Sequence, residues 1–320
     1  MMLPRSVAWM LPIALMISGT GAGSAQSFPN KPVRIVTSEP GGGSDINARL
    51  VAQGISAPLG QPVIIDNRGG GVLPAIYVAK ATADGYTLLN SSGVFWIGPY
   101  MQKVAYDPVR DFSPITLTAS APNLLVVHPS LPAKSVEELI ALAKSRPGEL
   151  NYASAGTGGS GHLAAELFKA MARVNLTLIP YNGAGPALNA LIGGEIQVMF
   201  TSTTSAWPHV KSARLRALAV TSLQPSALAP GLPTMVASGL PGYEWATITG
   251  LLAPAKTPAA IIVRLNQEIV RLLGREDVKE KFFNMGIEPV GNSPAEYAHK
   301  IRSEMVKTGK LIKDAGIRAE

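Results

Sequence analysis

Two glycine-rich segments contain the residues of this sequence that are best suited to bind a ligand. The first reads PGGGSD over 40–45 and the second reads GTGGSG over 156–161, and each separates an apolar strand pattern from a helical pattern. The first N–H groups of a helix have no partner within the helix and lie at the positive end of its dipole. Glycine lets a ligand approach that backbone closely. The two segments therefore predict two lobes that close on one anion, which favours binding over catalysis.

A serine hydrolase is the enzyme alternative that the second segment leaves open. Its nucleophile and base would be Ser160 and His162, in the run GGSGH. This run departs from the G-x-S-x-G turn because His162 stands where the last glycine belongs. A serine two residues before a histidine on one chain also cannot easily adopt triad geometry. We expect Ser160 to cap a helix and contact a ligand, and we expect no catalytic residue.

Other kinds of site lack the residues that they require. Neither glycine segment carries the lysine of a nucleotide-binding P-loop or the spacing of a dinucleotide-binding turn. The histidines are isolated and the chain has no cysteine, so no metal-ligand spacing is present. The sequence therefore predicts no cofactor and no metal ion.

For Asp45 and for three tryptophans, the sequence leaves two roles open. An acid in the first turn stabilises a helix N-terminus, but Asp45 is equally placed to contact the ligand. Trp96, Trp207 and Trp245 are candidates for either core or cleft walls, and Trp245 precedes a segment where the chain is expected to cross between lobes.

The N-terminus has the pattern of a secretory signal. Arg5 precedes an apolar run over 7–18, and small residues over 23–25 complete a cleavage site after Ala25. The run is too short for a membrane-spanning helix. The chain carries a formal net charge of +7, but its C-terminal basic residues alternate with acids, which is typical of solvated helix faces and not of a nucleic-acid surface. We expect a mature chain in the periplasm that binds no nucleic acid.

Strand patterns alternate with helical patterns along the mature chain. The predicted strands are 33–36, 62–65, 86–89, 124–127, 151–154, 176–180, 196–200, 215–220 and 248–252. The predicted helices include 46–55, 75–81, 162–172 and 185–192. Three more begin at the capping residues Ser135, Thr257 and Ser293. This alternation predicts an α/β fold with parallel strands and right-handed crossovers.

Two similar units bracket the middle of the chain. Each consists of an apolar run, a proline and a capped helix. They suggest that the chain crosses between two lobes twice. We expect a signal peptide over 1–25, a first lobe formed by 26–125 and 249–320, and an inserted second lobe over 126–248.

Several short segments follow one another in a fixed order. They are KPVRIV (31–36), PGG (40–42), LGQPV (59–63), NR (67–68), DGYTLL (84–89), LNYASAG (150–156), PYNG (180–183), GGEIQVMF (193–200) and LRALAVT (215–221). In this order they resemble the periplasmic receptors of tripartite tricarboxylate transporters, the Bug-type receptors. The likeness extends over essentially the whole mature chain.

The resemblance implies a two-lobed periplasmic-binding-protein fold, in which each lobe is a mainly parallel sheet flanked by helices and two segments cross between the lobes. It implies a monomer that binds a small organic carboxylate and delivers it to integral-membrane transporter subunits; a receptor read by a membrane signalling partner is the alternative. By position, the implied ligand contacts are Pro40, Gly41, Gly42, Ser44, Ser91, Gly93, Ala155, Gly156, Thr157, Gly158, Ser160, Tyr181 and Gly183.

Three departures from the family pattern bear on the ligand. Glu39 precedes the first glycines where the family has a small residue or proline, and Thr201 follows the run VMF where aspartate is common. The loop after 67–68 is also about two residues shorter than usual. We expect Glu39 and Thr201 to contact the ligand. An unpaired Glu39 would repel a second ligand carboxylate, whereas one paired with an ammonium or amide could select it.

Overall fold

The computed structural model describes residues 28–38, 40–41, 43–69, 71–155, 158–181 and 183–317. The predicted signal segment and its cleavage site after Ala25 lie outside these ranges. So do four of the predicted ligand contacts, namely Glu39, Gly42, Gly156 and Thr157. None of the helices within these ranges is both long and apolar enough to cross a membrane.

The N-terminal part of the chain forms the predicted βαβ arrangement. Its elements are β1 (Val33–Thr37), α1 (Gly43–Leu59), β2 (Val63–Asn67), α2 (Leu73–Ala79), β3 (Thr87–Ser91) and α3 (Val94–Met101). β1 lies between β2 and β3 and pairs with both in parallel. The starts of α1 and α3 therefore lie at the same edge of the sheet. The sequence pattern does not predict α3, because its segment VFWIGPYM has no polar face and contains Gly98 and Pro99.

The middle of the chain forms a second set of strands and helices. Its elements are β4 (Phe112–Val127), α4 (Val136–Ser145), β5 (Asn151–Ser154), α5 (Ser160–Ala172), β6 (Thr177–Pro180), α6 (Ala184–Ile192), β7 (Val198–Ser202), α7 (Thr203–Lys211) and β8 (Arg216–Val220). β5 pairs in parallel with β6 and β7, whereas β4 is antiparallel to β7 and β8. Parallel strands thus form the outer half of each sheet, and antiparallel strands join them.

The C-terminal part returns to the first sheet. Its elements are β9 (Ala246–Pro254), α8 (Ala259–Leu273), α9 (Glu276–Asn284), β10 (Glu288–Pro289) and α10 (Pro294–Asp314). β9 is antiparallel to both β3 and β4. The last turns of α10 reach the second sheet, where Leu311 and Ile312 join the core around α5. The C-terminal helix therefore packs against both sheets.

β4 belongs to both sheets. It pairs with β9 up to the partners Pro122 and Ala246, and it pairs with β7 and β8 from Asn123 onward. The chain returns from the second sheet next to this point, because the N–H of Trp245 still donates to the Thr221 carbonyl in the second sheet (2.9 Å) and Ala246 already pairs in the first. The two crossing segments, 122–123 and 245–246, thus lie side by side.

The predicted helix caps are confirmed at Ser135 and Ser293, and the one at Thr257 is wrong. Ser293 and Glu296 form a complete capping box. At α4, Ser135 accepts from the Glu138 N–H, but the Glu138 carboxylate accepts from the Lys134 N–H (2.6 Å). Thr257 as an N-cap is wrong, because α8 begins after Pro258 and the Thr257 hydroxyl donates to the Pro254 carbonyl (2.8 Å).

Hydrophobic clusters cover both faces of both sheets. Side chains alternate between the faces of a strand, so Ile35 packs against α1 and α8 while its neighbour Val36 packs against α2 and α3. In the second sheet, Leu125 packs toward α4 and α5, and Leu124 packs toward α6 and α7. Each sheet is thus covered by helices on both faces.

Candidate functional site

Two adjoining cavities lie between the sheets, on either side of Ser92 and Thr247. The polar cavity, named for its serine, threonine and asparagine side chains, has a volume of about 280 Å³. It is lined by Gly43, Ser44, Asn47, Ser92, Ala119, Ser120, Ala121, Asn123, Ser202, Thr247, Thr249 and Ile287. The apolar cavity has a volume of about 230 Å³ and is lined by residues including Val94, Trp96, Ile97, Gly158, Gly159, Ser160, Trp245, Glu304 and Thr308. Ser92 and Thr247 line both cavities and form the wall that the two share.

Four helices of the described chain begin at these cavities. α1 starts at the polar cavity, and α7 starts there after its N-cap Ser202. α3 and α5 start at the apolar cavity, after Gly93 and Gly159. Each helix follows the carboxyl end of a strand, as in other α/β folds whose ligands bind at that edge. The free N–H groups and positive dipole ends of these helices favour an anion in the space between them.

The start of α5 is held against β7 by a close approach at Gly161. A Cβ atom on Gly161 would lie 2.2 Å from the Phe200 carbonyl oxygen, which is far inside van der Waals contact. Only glycine therefore allows α5 to pack onto this strand at the observed distance. Gly158, just before the helix, adopts a φ of +74°, which L side chains rarely adopt. The glycines of the second segment thus place Ser160 at the cavity.

Ser160 joins α5 to both crossing segments. Its Oγ lies 3.0 Å from Trp245 Nε1, 2.9 Å from Thr247 Oγ1 and 3.2 Å from Asn123 Nδ2. The indole, the Thr247 hydroxyl and the amide all donate to this oxygen. Ser160 therefore links the two sheets. It also lines the apolar cavity, and its contact with a ligand stays a prediction.

His162 does not form a catalytic pair with Ser160. Its Nδ1 accepts from the Gly158 N–H (2.9 Å), and its Nε2 faces Glu166 Oε1 at 3.9 Å. Burial lowers the pKa of His162 and the Lys169 charge lowers it further, while Glu166 acts in the opposite direction. The histidine holds the second glycine segment in place. This geometry does not support the hydrolase alternative.

Asp45 stabilises the first glycine segment. Its Oδ2 accepts from the Gly41 N–H and from Arg49 Nε, both at 2.9 Å, and its Oδ1 accepts from Asn67 Nδ2 at 2.8 Å. Burial alone would raise the pKa of Asp45, but these hydrogen bonds and the Arg49 charge lower it below its usual value. Both carboxylate oxygens are thus occupied. Of the two roles expected for Asp45, the structure supports stabilisation of the helix start and the glycine segment over contact with the ligand.

Asn47 is a polar cavity residue that the sequence analysis missed. Its side chain is buried, and its Oδ1 accepts from the Thr118 hydroxyl (2.9 Å). Its Nδ2 has no hydrogen-bond partner within the described structure. Buried amide donors are almost always paired, so this group indicates a missing acceptor in the cavity. The signal available in the sequence was the i, i+3 spacing from Ser44, which puts both residues on one face of α1.

The other predicted contacts fall into two groups. Ser44, Gly93 and Gly158 line the cavities as expected. The other predicted contacts within the described residues line neither cavity. They are Pro40, Gly41, Ser91, Ala155, Tyr181, Gly183 and Thr201.

Four residues of the second group have a structural reason for lining neither cavity. Ser91 is buried in β3 opposite Gly250, and its neighbour Ser92 reaches the cavities instead. Thr201 is likewise buried in β7, and Ser202 lines the polar cavity. The Gly183 N–H donates to the Ala155 carbonyl (3.0 Å), which folds these two loops onto each other.

Comparisons with known proteins find similarity along almost the whole chain. The family profile TctC, described as "Tripartite tricarboxylate transporter family receptor", matches residues 47–317. The "UPF0065 protein in tcbD-tcbE intergenic region" of Pseudomonas sp. strain P51 is 38% identical over 320 residues, which cover 98% of this chain and 95% of that protein.

Solved structures show the same fold. "R. palustris Rpa4515 with adipate" is 36% identical to this chain, with a TM-score of 0.73. The alignment covers 92% of this chain and 100% of the R. palustris chain. "Periplasmic binding protein BugD" is 30% identical with a TM-score of 0.71 and the same coverage. The family profile and these identities confirm the resemblance, and the chain belongs to the receptor family of the tripartite tricarboxylate transporters.

Proposed function

We propose that this receptor binds one small organic carboxylate between its two lobes, with the carboxylate group in the polar cavity. The observation that carries the proposal is the unpartnered, buried amide Nδ2 of Asn47 beside the start of α1. A carboxylate oxygen is the acceptor that this donor and the neighbouring free N–H groups lack. Hydrogen bonds to a charged group contribute about 1.5–3 kcal/mol each. The adipate bound by the R. palustris neighbour is a ligand of the same chemical class.

Donors from both sheets face the proposed carboxylate position. Ser44 and Asn47 belong to α1 of the first sheet, whereas Ser202 begins α7 in the second. Asn123 lies in one crossing segment and Thr247 directly follows the other, and both donate to Ser160. A ligand in contact with both sets holds the two sheets together. Glu39, Gly42, Gly156 and Thr157 belong to the same two glycine segments and stay predictions as further contacts.

The two lobes are proposed to be 26–125 with 249–320, and 126–248. They would close by rotation about the crossing segments, 122–123 and 245–246, because the backbone there is all that passes from one sheet to the other within β4 and β9. Few residues at the ends of strands are enough to absorb such a motion. The closed form is the one that integral-membrane subunits of the transporter would recognise.

The mature chain would act as a monomer in the periplasm, after cleavage of residues 1–25. Family members such as BugD are periplasmic binding proteins, and the N-terminal sequence has the pattern of an export signal. No covalent step is part of this function, since the Ser160 hydroxyl is engaged by three groups other than His162.

A thermal-shift screen tests the proposal. The mature protein is purified through an unfolding step to remove any ligand that it carries, and then refolded. The panel holds dicarboxylates, citrate, aromatic carboxylates, amino acids and, as uncharged controls, the corresponding amides. A carboxylate that binds only the folded state raises the melting temperature. A shift with amides but with none of the carboxylates would contradict the proposal.

A further inference from the structure

The side walls of the apolar cavity are suited to the apolar body of a ligand. Trp96 and Ile97 of α3 form one side, and Trp245 forms the other. The indoles of Trp96 and Trp245 are only 3% and 4% exposed. Since the N–H of Trp245 already donates to Ser160, this indole offers the cavity only its carbon surface. A methylene chain or a ring that enters from Ser92 and Thr247 would be covered on both sides.

Two polar residues of α10 line the same cavity. They are Glu304 and Thr308, one helical turn apart. The Thr308 hydroxyl is fully buried and has no hydrogen-bond partner within the described residues. Glu304 is also buried, and both of its ion pairs are made through Oε1, to Lys307 at 2.8 Å and to Lys300 at 3.2 Å. Its second oxygen is therefore left to accept a hydrogen bond from a ligand.

The neighbouring lysines are already engaged. Lys300 also pairs with Glu244 Oε1 at 2.9 Å, and Lys307 also donates to the Glu244 carbonyl at 3.2 Å. Neither lysine is among the residues that line the apolar cavity. The polar groups that this cavity offers from α10 are thus one carboxylate and one hydroxyl. Both lysines are thus shared with Glu304 and Glu244, and a second ligand carboxylate beside Glu304 would find no cation that is not already paired with an acid.

We propose that the apolar cavity is a subsite for the far end of the ligand and that Glu304 and Thr308 select a terminal hydroxyl or ammonium group over a second carboxylate. This inference rests on the proposed function, because it places the ligand carboxylate in the polar cavity. It assigns the receptor to carboxylates with an apolar body and a hydrogen-bond donor at the opposite end. In this respect the chain would differ from its neighbour solved with adipate, which carries a carboxylate at both ends.

A series of ligands that differ only at the far end tests the subsite. Hexanoate, 6-hydroxyhexanoate, 6-aminohexanoate and adipate are titrated calorimetrically into the refolded protein. The same four end groups are also tested on shorter and longer chains, since the length must match the cavities. At the best length, we expect the hydroxy or amino acid to bind at least tenfold more tightly than the dicarboxylate.

Substitution of Glu304 isolates its charge. In Glu304→Gln, we expect the affinity for the amino acid to fall at least tenfold and the affinity for adipate to rise. Glu244→Gln is the matched control, because Glu244 pairs with the same lysine but does not line the cavity. Its preference among the four ligands should equal that of the unchanged protein. Thr308→Val removes only the hydroxyl and should weaken the preference for the hydroxy acid over hexanoate while leaving the fold intact.

The outcomes separate the subsite from the proposed function. Binding of adipate as tight as that of the hydroxy and amino acids, unchanged in Glu304→Gln, would overturn the subsite and leave the carboxylate receptor standing. Equal effects of Glu304→Gln and Glu244→Gln would also overturn it, because the lysine network would then be the cause. Absence of binding by this series and by every carboxylate of the screening panel would overturn the proposed function itself.

Discussion

Asn47 combines burial, a position beside a helix N-terminus and a donor without a partner. An unpaired buried amide costs about 1–3 kcal/mol, and a ligand that supplies the acceptor recovers this free energy. The residue thus links the stability of the free protein to its affinity. On its other side the amide contacts the Thr118 hydroxyl, which also lies 2.9 Å from the Thr249 carbonyl.

Asn47→Asp is expected to weaken carboxylate binding at least tenfold, or about 1.4 kcal/mol. The substitution preserves the size of the side chain but places a negative charge against the ligand carboxylate. Gln53→Glu is the control, since it makes the same change from amide to acid on an exposed face of α1. Calorimetric titration of both variants measures the effect. Equal affinities in the two variants would remove Asn47 from the binding site.

His162 is expected to make the stability of the protein depend on pH. Its pKa in the folded protein is lowered, mainly by burial, whereas the unfolded chain binds a proton near pH 6.5. Below pH 6.5 the unfolded state therefore binds more protons, and the free energy of unfolding falls as the pH falls toward the folded pKa. Urea denaturation from pH 7 to pH 5 should show this loss relative to His162→Gln, which keeps an acceptor for the Gly158 N–H. Parallel pH profiles of the two proteins would contradict the assignment.

Single residues were the hardest part of the site to predict from the sequence. The glycine segments indicated where an anion could bind, and Ser44, Gly93 and Gly158 do line the cavities. The sequence could not decide the role of Asp45, because that depends on Asn67 from another strand. The sequence also pointed to Thr201 as a ligand contact, whereas its neighbour Ser202 is the residue that lines the polar cavity. Only the register of β7 shows which of two adjacent side chains faces the cavity.

At the scale of elements, the distance between α5 and β7 controls the position of the second glycine segment. Gly161→Ala would place a methyl group 2.2 Å from the Phe200 carbonyl, and we expect a loss of about 1–3 kcal/mol in unfolding free energy. Ligand affinity should fall as well, because the start of α5 moves.

The control is another glycine in a helix. Around Gly185 in α6 no atom lies within 4 Å of an added Cβ, so Gly185→Ala should be neutral or stabilise the protein by about 0.5–1 kcal/mol. Urea denaturation measures both variants. A Gly161→Ala protein as stable as Gly185→Ala would show that the close approach does not constrain α5.

The elements were predicted best where their hydrophobic pattern is simple. The strands of the two parallel groups and the helices α1, α5, α8 and α10 occur close to their predicted positions. β4 was recognised only over 124–127, because Pro114 and Pro122 and several polar residues interrupt its first part. α7 was missed because its first residues are threonines and serine, although Ser202 with Ser205 has the spacing of an N-cap.

At the scale of the whole molecule, the two sheets are joined by crossing segments that lie side by side next to the cavities. Ser160 accepts from both segments at once, from Asn123 and from Trp245. A ligand between the sheets therefore stabilises both. At one hundred times its dissociation constant, it should add about 2.7 kcal/mol to the stability, which corresponds to a rise in melting temperature on the order of 5 °C.

Calorimetric unfolding with and without the ligand measures this effect. We expect one cooperative transition that moves to higher temperature as a whole. Two separate transitions, of which only one moves, would mean that the ligand contacts a single lobe.

A crystal structure of the refolded protein with the carboxylate that gives the largest thermal shift is the most direct measurement. We expect the carboxylate group in the polar cavity, within hydrogen-bond distance of Asn47 Nδ2 and of the start of α1, and the rest of the ligand toward Trp96 and Trp245. A carboxylate bound outside the two cavities, with both of them filled only by water, would contradict this expectation.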